Sequence, residues 1–275
     1  MHAFDTPGQP RLRIRNPSGS ISVEAVETDR TTVELQALRD DDATREAIER
    51  ATVEQNGNEV LVEVGGGAGF GIGPAWISFG RSPQVGVKIV CPVGAELDCS
   101  TAAADVSTTG RLGEVQVKTA SGDVSVELAA KLRVQSASGD VRAESVEGEA
   151  RLQTVSGDVR LGSVTGPANA MLVSGDLTID EARSDLSGKT VSGDQRIGAI
   201  REGQIKLQSV SGDVRLGVRP GTRLRIDANS TSGDISSEFD VKDRPSDEPS
   251  GAEARLQIKT VSGDVEIVRA AAVSA

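Results

Sequence analysis

The segment Leu152-Gln-Thr-Val-Ser-Gly-Asp-Val-Arg-Leu161 contains the unit that decides the fold of this chain. Its tripeptide Ser-Gly-Asp occurs eight times, and the copies begin at Ser121, Ser138, Ser156, Ser174, Ser192, Ser211, Ser232 and Ser262. The first six starts are 17 to 19 residues apart, and the next two gaps are 21 and 30 residues. A repeat of this length is typical of a solenoid, in which each copy forms one coil stacked on the previous coil.

Apolar and polar residues alternate on both sides of each Gly-Asp pair, which predicts two short strands that each bury one face. Glycine permits a positive φ, and aspartate tolerates turn geometry and bonds to nearby backbone N–H groups. The Gly-Asp pair is therefore predicted to form a corner between the strands, with each Asp capping its own corner. Strands of successive coils are expected to pair in parallel.

Stacking is expected to align equivalent residues in files. The predicted corner file consists of Gly122, Asp123, Gly139, Asp140, Gly157, Asp158, Gly175, Asp176, Gly193, Asp194, Gly212, Asp213, Gly233, Asp234, Gly263 and Asp264. A hydroxyl file, predicted to face inward with the aliphatic residues, consists of Thr119, Ser136, Thr154, Thr190, Ser209, Ser230 and Thr260.

The file of carboxylates is the one feature of the repeat that could carry chemistry. Carboxylates at strand spacing repel one another unless they are hydrated, hydrogen-bonded or bridged by cations. Both corner capping and cation binding are therefore open interpretations. Calcium prefers six to eight oxygen ligands, whereas each coil offers one carboxylate, so capping is favoured. The sequence predicts no catalytic residue, no metal site and no cofactor.

The sequence predicts three regions. Residues 1–94 are expected to cap the solenoid with strands, one helix at residues 40–51 and a Gly-rich loop; residues 95–268 form the coils, and residues 269–275 form a frayed tail. The loop contains Phe70, Trp76 and Phe79, three of the five aromatic residues of the chain. These three side chains are expected either to contact a partner, a lipid surface or a second subunit, or to fold back over the solenoid end.

The composition of the chain limits the classes of function that it can have. The net charge of −11 argues against binding to nucleic acid or anionic lipid. No stretch has the length and apolarity of a membrane span, and the first residues do not resemble a signal peptide, so a cytoplasmic protein is expected. Cys91 and Cys99 are the only thiols, and they are predicted either to be buried or to form a disulfide.

The repeated Thr-x-Ser-Gly-Asp-Val motif follows an N-terminal Asn16-x-x-Gly-Ser-Ile-x-Val23 strand. Together these motifs resemble the bacterial DUF4097 family of β-strand repeat proteins, which also carries the label “putative adhesin”. The resemblance covers residues 11–268 and implies a right-handed, single-stranded parallel β-helix. It supplies no catalytic residue.

These observations favour a non-enzymatic β-solenoid scaffold or interaction protein that binds an unknown protein or surface polymer. Self-association through the solenoid ends belongs to the same hypothesis. A second hypothesis is a polysaccharide-active β-helix enzyme, because the Asp file offers pairs of carboxylates, although the repeat contains no aromatic platform for a sugar. A third is a ladder protein that binds cations or ice; ice binding is disfavoured because the hydroxyl file is predicted to face inward.

Overall fold

The computed structural model describes residues 1–65, 82–239 and 252–270. The Cα positions divide the chain into two compact units, Met1–Ala130 and Lys131–Ala275. The described residues are almost entirely strands that pair in parallel, with one helix near the N-terminus. The predicted all-β solenoid of parallel coils is therefore confirmed.

The first unit contains β1 (His2–Asp5), β2 (Arg11–Val26), β3 (Arg30–Ala37), α1 (Asp42–Glu49), β4 (Thr52–Asn56), β5 (Glu59–Glu63), β6 (Val85–Pro92) and β7 (Glu96–Thr119). The helix, expected over residues 40–51, begins after Asp41, whose carboxylate accepts a hydrogen bond from the Thr44 N–H at 2.8 Å. This N-cap satisfies one of the free backbone donors of the first turn.

The long strand β2 lies at the centre of the first unit. On one side it pairs in parallel with β7, over Arg11–Glu24. On its other side it pairs in parallel with β5 and then with β6. Parallel pairing therefore already begins at Arg11, N-terminal to the boundary at residue 95 expected from the sequence. Outside this layer, β3 and β4 pair antiparallel with β6 and β5, and β1 pairs antiparallel with β3.

The strand β8 (Val124–Ser138) runs across the division between the units. The second unit then contains β9 (Val141–Val146), β10 (Ala150–Ser156), β11 (Val159–Val164), β12 (Ala168–Ser174), β13 (Leu177–Ala182), β14 (Leu186–Ser192), β15 (Gln195–Ile200), β16 (Gly203–Ser211), β17 (Val214–Val218), β18 (Arg223–Ser232), β19 (Ile235–Ser237), β20 (Glu253–Ser262) and β21 (Val265–Arg269).

Strands before and after each Gly-Asp corner form two separate parallel ladders. The first ladder has the spatial order β8–β10–β12–β14–β16–β20–β18. The second has the order β9–β11–β13–β15–β17–β21–β19. From Ser138 onward, the Ser of each tripeptide lies opposite the Ser of the adjacent coil, as in the pairs Ser156–Ser174 and Ser174–Ser192. The repeat of the sequence is thus the repeat of the structure.

The last two coils depart from the sequential stacking expected of the repeat. The final coil, formed by β20 and β21, lies between the coil of β16 and β17 and the coil of β18 and β19. The final coil has the apolar alternation Leu256-x-Ile258 followed by Val265-x-Ile267, and all four side chains are fully buried. The coil at the edge ends in Ile235-Ser-Ser237 and has less apolar area to bury. The final coil therefore occupies the inner position, because burying its larger apolar surface on both sides stabilises the protein more.

Candidate functional site

The corners of the coils are shaped by a glycine that lies against the neighbouring coil. Seven of the eight tripeptide glycines, all except Gly122, have φ between 129° and 157°. A Cβ built on Gly157 would lie 2.4 Å from the carbonyl oxygen of Gly139 in the adjacent coil. Any side chain at this position would therefore meet backbone, which explains why glycine recurs there.

The aspartates of the corner file bond to the next coil. The Asp158 carboxylate accepts the N–H of Asp176 at 2.9 Å, and the Asp176 carboxylate accepts the N–H of Asp194 at 2.8 Å. The same bond joins Asp105 to Asp123, Asp140 to Asp158, Asp194 to Asp213, Asp213 to Asp264 and Asp264 to Asp234. The prediction that each Asp caps its own corner is therefore wrong, because the carboxylates link successive coils.

This arrangement also bears on cation binding. In the described part of the chain, no group of three or more His, Cys, Asp or Glu side chains is placed to hold a metal ion. The carboxylates of the seven bonds above already accept a backbone N–H, and hydrogen bonding to the charged form offsets the repulsion along the file. The geometry therefore gives the file a structural role.

The hydroxyl file faces the core, as predicted. Thr154, Thr190 and Thr260 are at most 5% exposed, whereas Ser230, in the coil at the edge, is half-buried. In the first unit the Thr119 hydroxyl accepts the N–H of Gly122 at 2.8 Å and so braces a corner from inside. A buried file offers no surface for ice, so the structure contradicts the ice-binding hypothesis.

An exposed file of valines lies immediately before the corners. Val155, Val173, Val191, Val210 and Val261 are each between 47% and 52% exposed, and they belong to five consecutive strands of the first ladder. We call these five residues the valine file. In the sequence this position is Val in each of these five repeats. Its parity would have placed it outside, because it directly follows the inward-facing hydroxyl residue.

Polar and basic side chains flank the valine file on the outer surface. In the first ladder the next outward position holds, in order along the ladder, Gln135, Gln153, Met171, Lys189, Gln208 and Lys259. Across the corner, the outward position of the second ladder holds, in order, Arg142, Arg160, Thr178, Arg196, Arg215 and Glu266. The valine file is therefore an apolar line between a mixed polar file and a mainly basic file.

A polar cleft of about 520 Å³ lies at the turns of the coils in the second unit. It is lined by Thr165, Glu181, Arg183, Ser184, Arg201, Glu202 and Arg219. Glu181 pairs with Arg183 at 3.0 Å and with Arg219 at 2.7 Å. The hydrogen bond from Arg183, together with Arg219, lowers the pKa of Glu181. Glu181 is thus held as a paired carboxylate, which does not suit a general acid.

The aromatic residues Phe70, Trp76 and Phe79, predicted as a contact site, lie outside the described residues. Their part in binding stays a prediction.

The two cysteines are free thiols buried in the first unit. Burial raises the pKa of Cys91 to about 12, and burial together with the charge of Asp98 raises the pKa of Cys99 to about 12. At pH 8 the native protein should react with a thiol reagent at least ~10³-fold more slowly than the unfolded chain, whose thiols have a pKa near 8.5. Reaction with Ellman's reagent in buffer and in denaturant measures this ratio.

The same pKa shifts predict how stability depends on pH. The folded thiols keep their protons to about pH 12, whereas unfolded thiols lose them from about pH 8.5. The contribution of the two thiols to the free energy of unfolding is therefore fully present below about pH 8.5. It should be lost as the pH rises towards 12. Cys91→Ala with Cys99→Ala should flatten this decline in denaturant titrations, and an unchanged slope would contradict the assignment.

The helix α1 is too short and too polar to cross a lipid bilayer, and the rest of the described chain has no helix that could. Parallel coils, inter-coil Asp bonds and an outward valine file define a β-solenoid with laddered surfaces. The chain belongs to the family described as Toastrack DUF4097, whose model matches residues 11–268.

Solved structures of related shape come from Bacteroides and Parabacteroides species. A “putative adhesin” from Bacteroides fragilis is 15% identical, with a TM-score of 0.46, and the match covers 97% of this chain and 95% of that one. A “putative lipid binding protein” from Parabacteroides distasonis is 12% identical, with a TM-score of 0.47, and the match covers 98% and 96%. A comparison with curated proteins gives no match. At these identities and TM-scores, nothing about function carries over to this chain.

Proposed function

We propose that this protein is a non-enzymatic interaction scaffold that binds a protein or surface polymer along the valine file. The observation that carries the proposal is the half-exposure of five valines on consecutive strands. Contiguous exposed apolar surface on a soluble domain marks interaction sites more often than single exposed residues do. The flanking polar and basic files would supply the hydrogen-bonding rim that such surfaces usually have.

The regularity of the coils supports a scaffold over an enzyme. Catalytic carboxylates need environments that push their pKa values apart. Here equivalent aspartates make the same backbone bond in coil after coil. None of them differs from its neighbours as an acid or a base would. In this proposal the protein is cytoplasmic, as expected from the sequence.

The experiment is site-specific photocrosslinking. Because both native thiols are buried, a cysteine introduced by Val191→Cys can be labelled selectively with a maleimide–benzophenone reagent. We expect a saturable crosslinked product in bacterial envelope or cytosolic fractions. Glu144→Cys, which labels an exposed outward position of β9, is the matched control and should give no such product.

A competition experiment distinguishes specific binding at the valine file from nonspecific binding. Unlabelled parent protein should suppress the product, whereas the triple variant Val173→Thr, Val191→Thr and Val210→Thr should compete at least ~10-fold more weakly. Threonine keeps the β-branched shape, so circular dichroism and melting should show that the variant is folded. Equal competition by the triple variant, or no saturable product in any fraction, would exclude the proposal.

A further inference from the structure

At one end, the two ladders of the second unit finish with β18 and β19. These strands pair on one side with β20 and β21. In the described ranges 1–65, 82–239 and 252–270, no strand pairs with their other side. The strand β18 is 10 residues long, so it offers a long row of backbone donors and acceptors. An exposed edge of this length is a template for pairing with another chain.

The inward positions of β18 are incompletely covered. Ile226 and Ala228 lie opposite Leu256 and Ile258 of β20, which are 0% exposed. Ile226 and Ala228 themselves are only half-buried, and Ile235 of β19 is 46% exposed. Adding a strand beside β18 would therefore satisfy backbone groups and cover apolar side chains together.

The described strands β1 to β7 of the first unit offer no equivalent parallel edge. The other side of β7 is already bonded by the residues that follow it, because the Val106 N–H donates to the Asp123 carbonyl and the Ser121 N–H donates to the Ala102 carbonyl. There the outermost parallel strands β5 and β6 are already paired with the antiparallel strands β4 and β3. The strands β4 and β1, each with one described pairing, are only 5 and 4 residues long. The edge at β18 of one copy therefore finds no matching edge strand on the first unit of another copy. The β18 of a second copy matches this edge in length and in chemistry.

The sequence of β18 is complementary to itself in one antiparallel register. With Ile226 at the two-fold axis, Arg225 of each copy lies opposite Asp227 of the other, and Leu224 lies opposite Ala228. The neighbouring registers that keep the same faces aligned are centred on Arg225 or on Asp227. Each of these places two like charges directly opposite one another, which is destabilising. Charge thus selects the register centred on Ile226.

The groups around this register are compatible with it. Arg225 pairs with Glu253 of its own chain at 3.3 Å, but both side chains are about half-exposed, so the pair is weak. Asp227 lines a shallow polar cleft with Lys206 and Arg255. Neither contact prevents Arg225 and Asp227 from facing a second copy.

We propose that β18 pairs antiparallel with β18 of a second copy, centred on Ile226, and that the protein forms a closed two-fold dimer through this edge. Such a contact is isologous and therefore stops at two copies. The dimer goes beyond the proposed binding at the valine file, and it would make that binding bivalent.

The test is the molar mass of the whole chain, measured by light scattering across a concentration series. The parent should rise from 28.5 kDa to twice that value and go no further. Arg225→Asp or Asp227→Arg, each of which creates like-charge contacts in this register, should weaken dimerisation at least ~10-fold. Arg160→Asp, an equal charge change on the exposed face of β11, should leave the dimer unchanged.

Exchanging the charges of Arg225 and Asp227 tests the proposed pairing register directly. The double variant R225D/D227R restores opposite charges and should dimerise like the parent, and an equimolar mixture of R225D with D227R should form heterodimers. A parent that stays at 28.5 kDa at all concentrations, a mass that grows past two copies, or single variants that are not rescued would overturn the proposal. Crosslinking at Val191 is independent of this result, because Val191 lies on β14, away from the edge.

Discussion

Gly157→Ala is expected to lower the free energy of unfolding by about 3 kcal/mol or more. Gly157 has φ of 136°, and the new methyl group would lie 2.4 Å from the Gly139 carbonyl oxygen. This oxygen belongs to backbone held in place by the coil, so the two coils must separate. Thermal melting should show a fall of about 6–12 °C for a chain of this size. Hydrogen exchange should become faster in β8 and β10, the strands of the two coils that the methyl group forces apart, because coils contact only their neighbours.

Gly221→Ala is the matched control. Gly221 also has a positive φ, of 83°, but a Cβ there would meet no atom within 4 Å among the described residues. The Gly221→Ala substitution should therefore cost only the strain of placing a Cβ at a positive φ, about 1 kcal/mol. If the two variants melted together, the close approach between coils would not be what requires glycine at the corner.

The second large effect concerns a polar residue inside the core. Gln195 occupies a position where the adjacent coils have Leu177 and Val214, yet it is 0% exposed. Its side-chain N–H groups donate to the Thr190 hydroxyl at 3.0 Å and to the Gln208 carbonyl at 2.7 Å. Its Oε1 has no hydrogen-bond partner in the described part of the chain.

Gly188 makes room for this side chain. A Cβ on Gly188 would lie 2.6 Å from Gln195 Oε1 and 3.0–3.1 Å from methyl groups of Leu207 and Leu177. Gly188→Ala should therefore destabilise the protein by about 2 kcal/mol through overpacking. In a Gln195→Val background, which restores the aliphatic residue of the repeat, the same change should cost at least ~1 kcal/mol less. Denaturant unfolding of the four proteins in this cycle measures the coupling.

A pair of more distant changes serves as the control for that cycle. Val159 occupies the position of Gln195 two coils away, and Val159→Ala should add to Gly188→Ala within about 0.5 kcal/mol. Additivity in the Gln195 cycle as well would mean that Gly188 is small for a reason other than the buried amide.

The two proposed interaction surfaces have different origins. The valine file is a property of the repeat and lies on inner strands, whereas the open edge depends on which coil is outermost. Because the edge coil is Arg223–Ser237, the charged pair Arg225 and Asp227 is placed at the end of the ladder. A stack in sequence order would have placed β20 there instead, with Arg255 and Gln257 at the positions of Arg225 and Asp227.

The sequence by itself determined the coil, its two strands, its glycine corner and the inward hydroxyl file. These features depend on side-chain parity and on the φ of single residues, and both are local properties repeated in every copy. Only the tertiary structure decided that β20 lies between β16 and β18, and that each Asp bonds to the next coil rather than to its own. Similar coils compete for the same neighbours, and the outcome depends on the total area that each arrangement buries. Since that area is a property of pairs of coils, it could not be read from the alternation within any one of them.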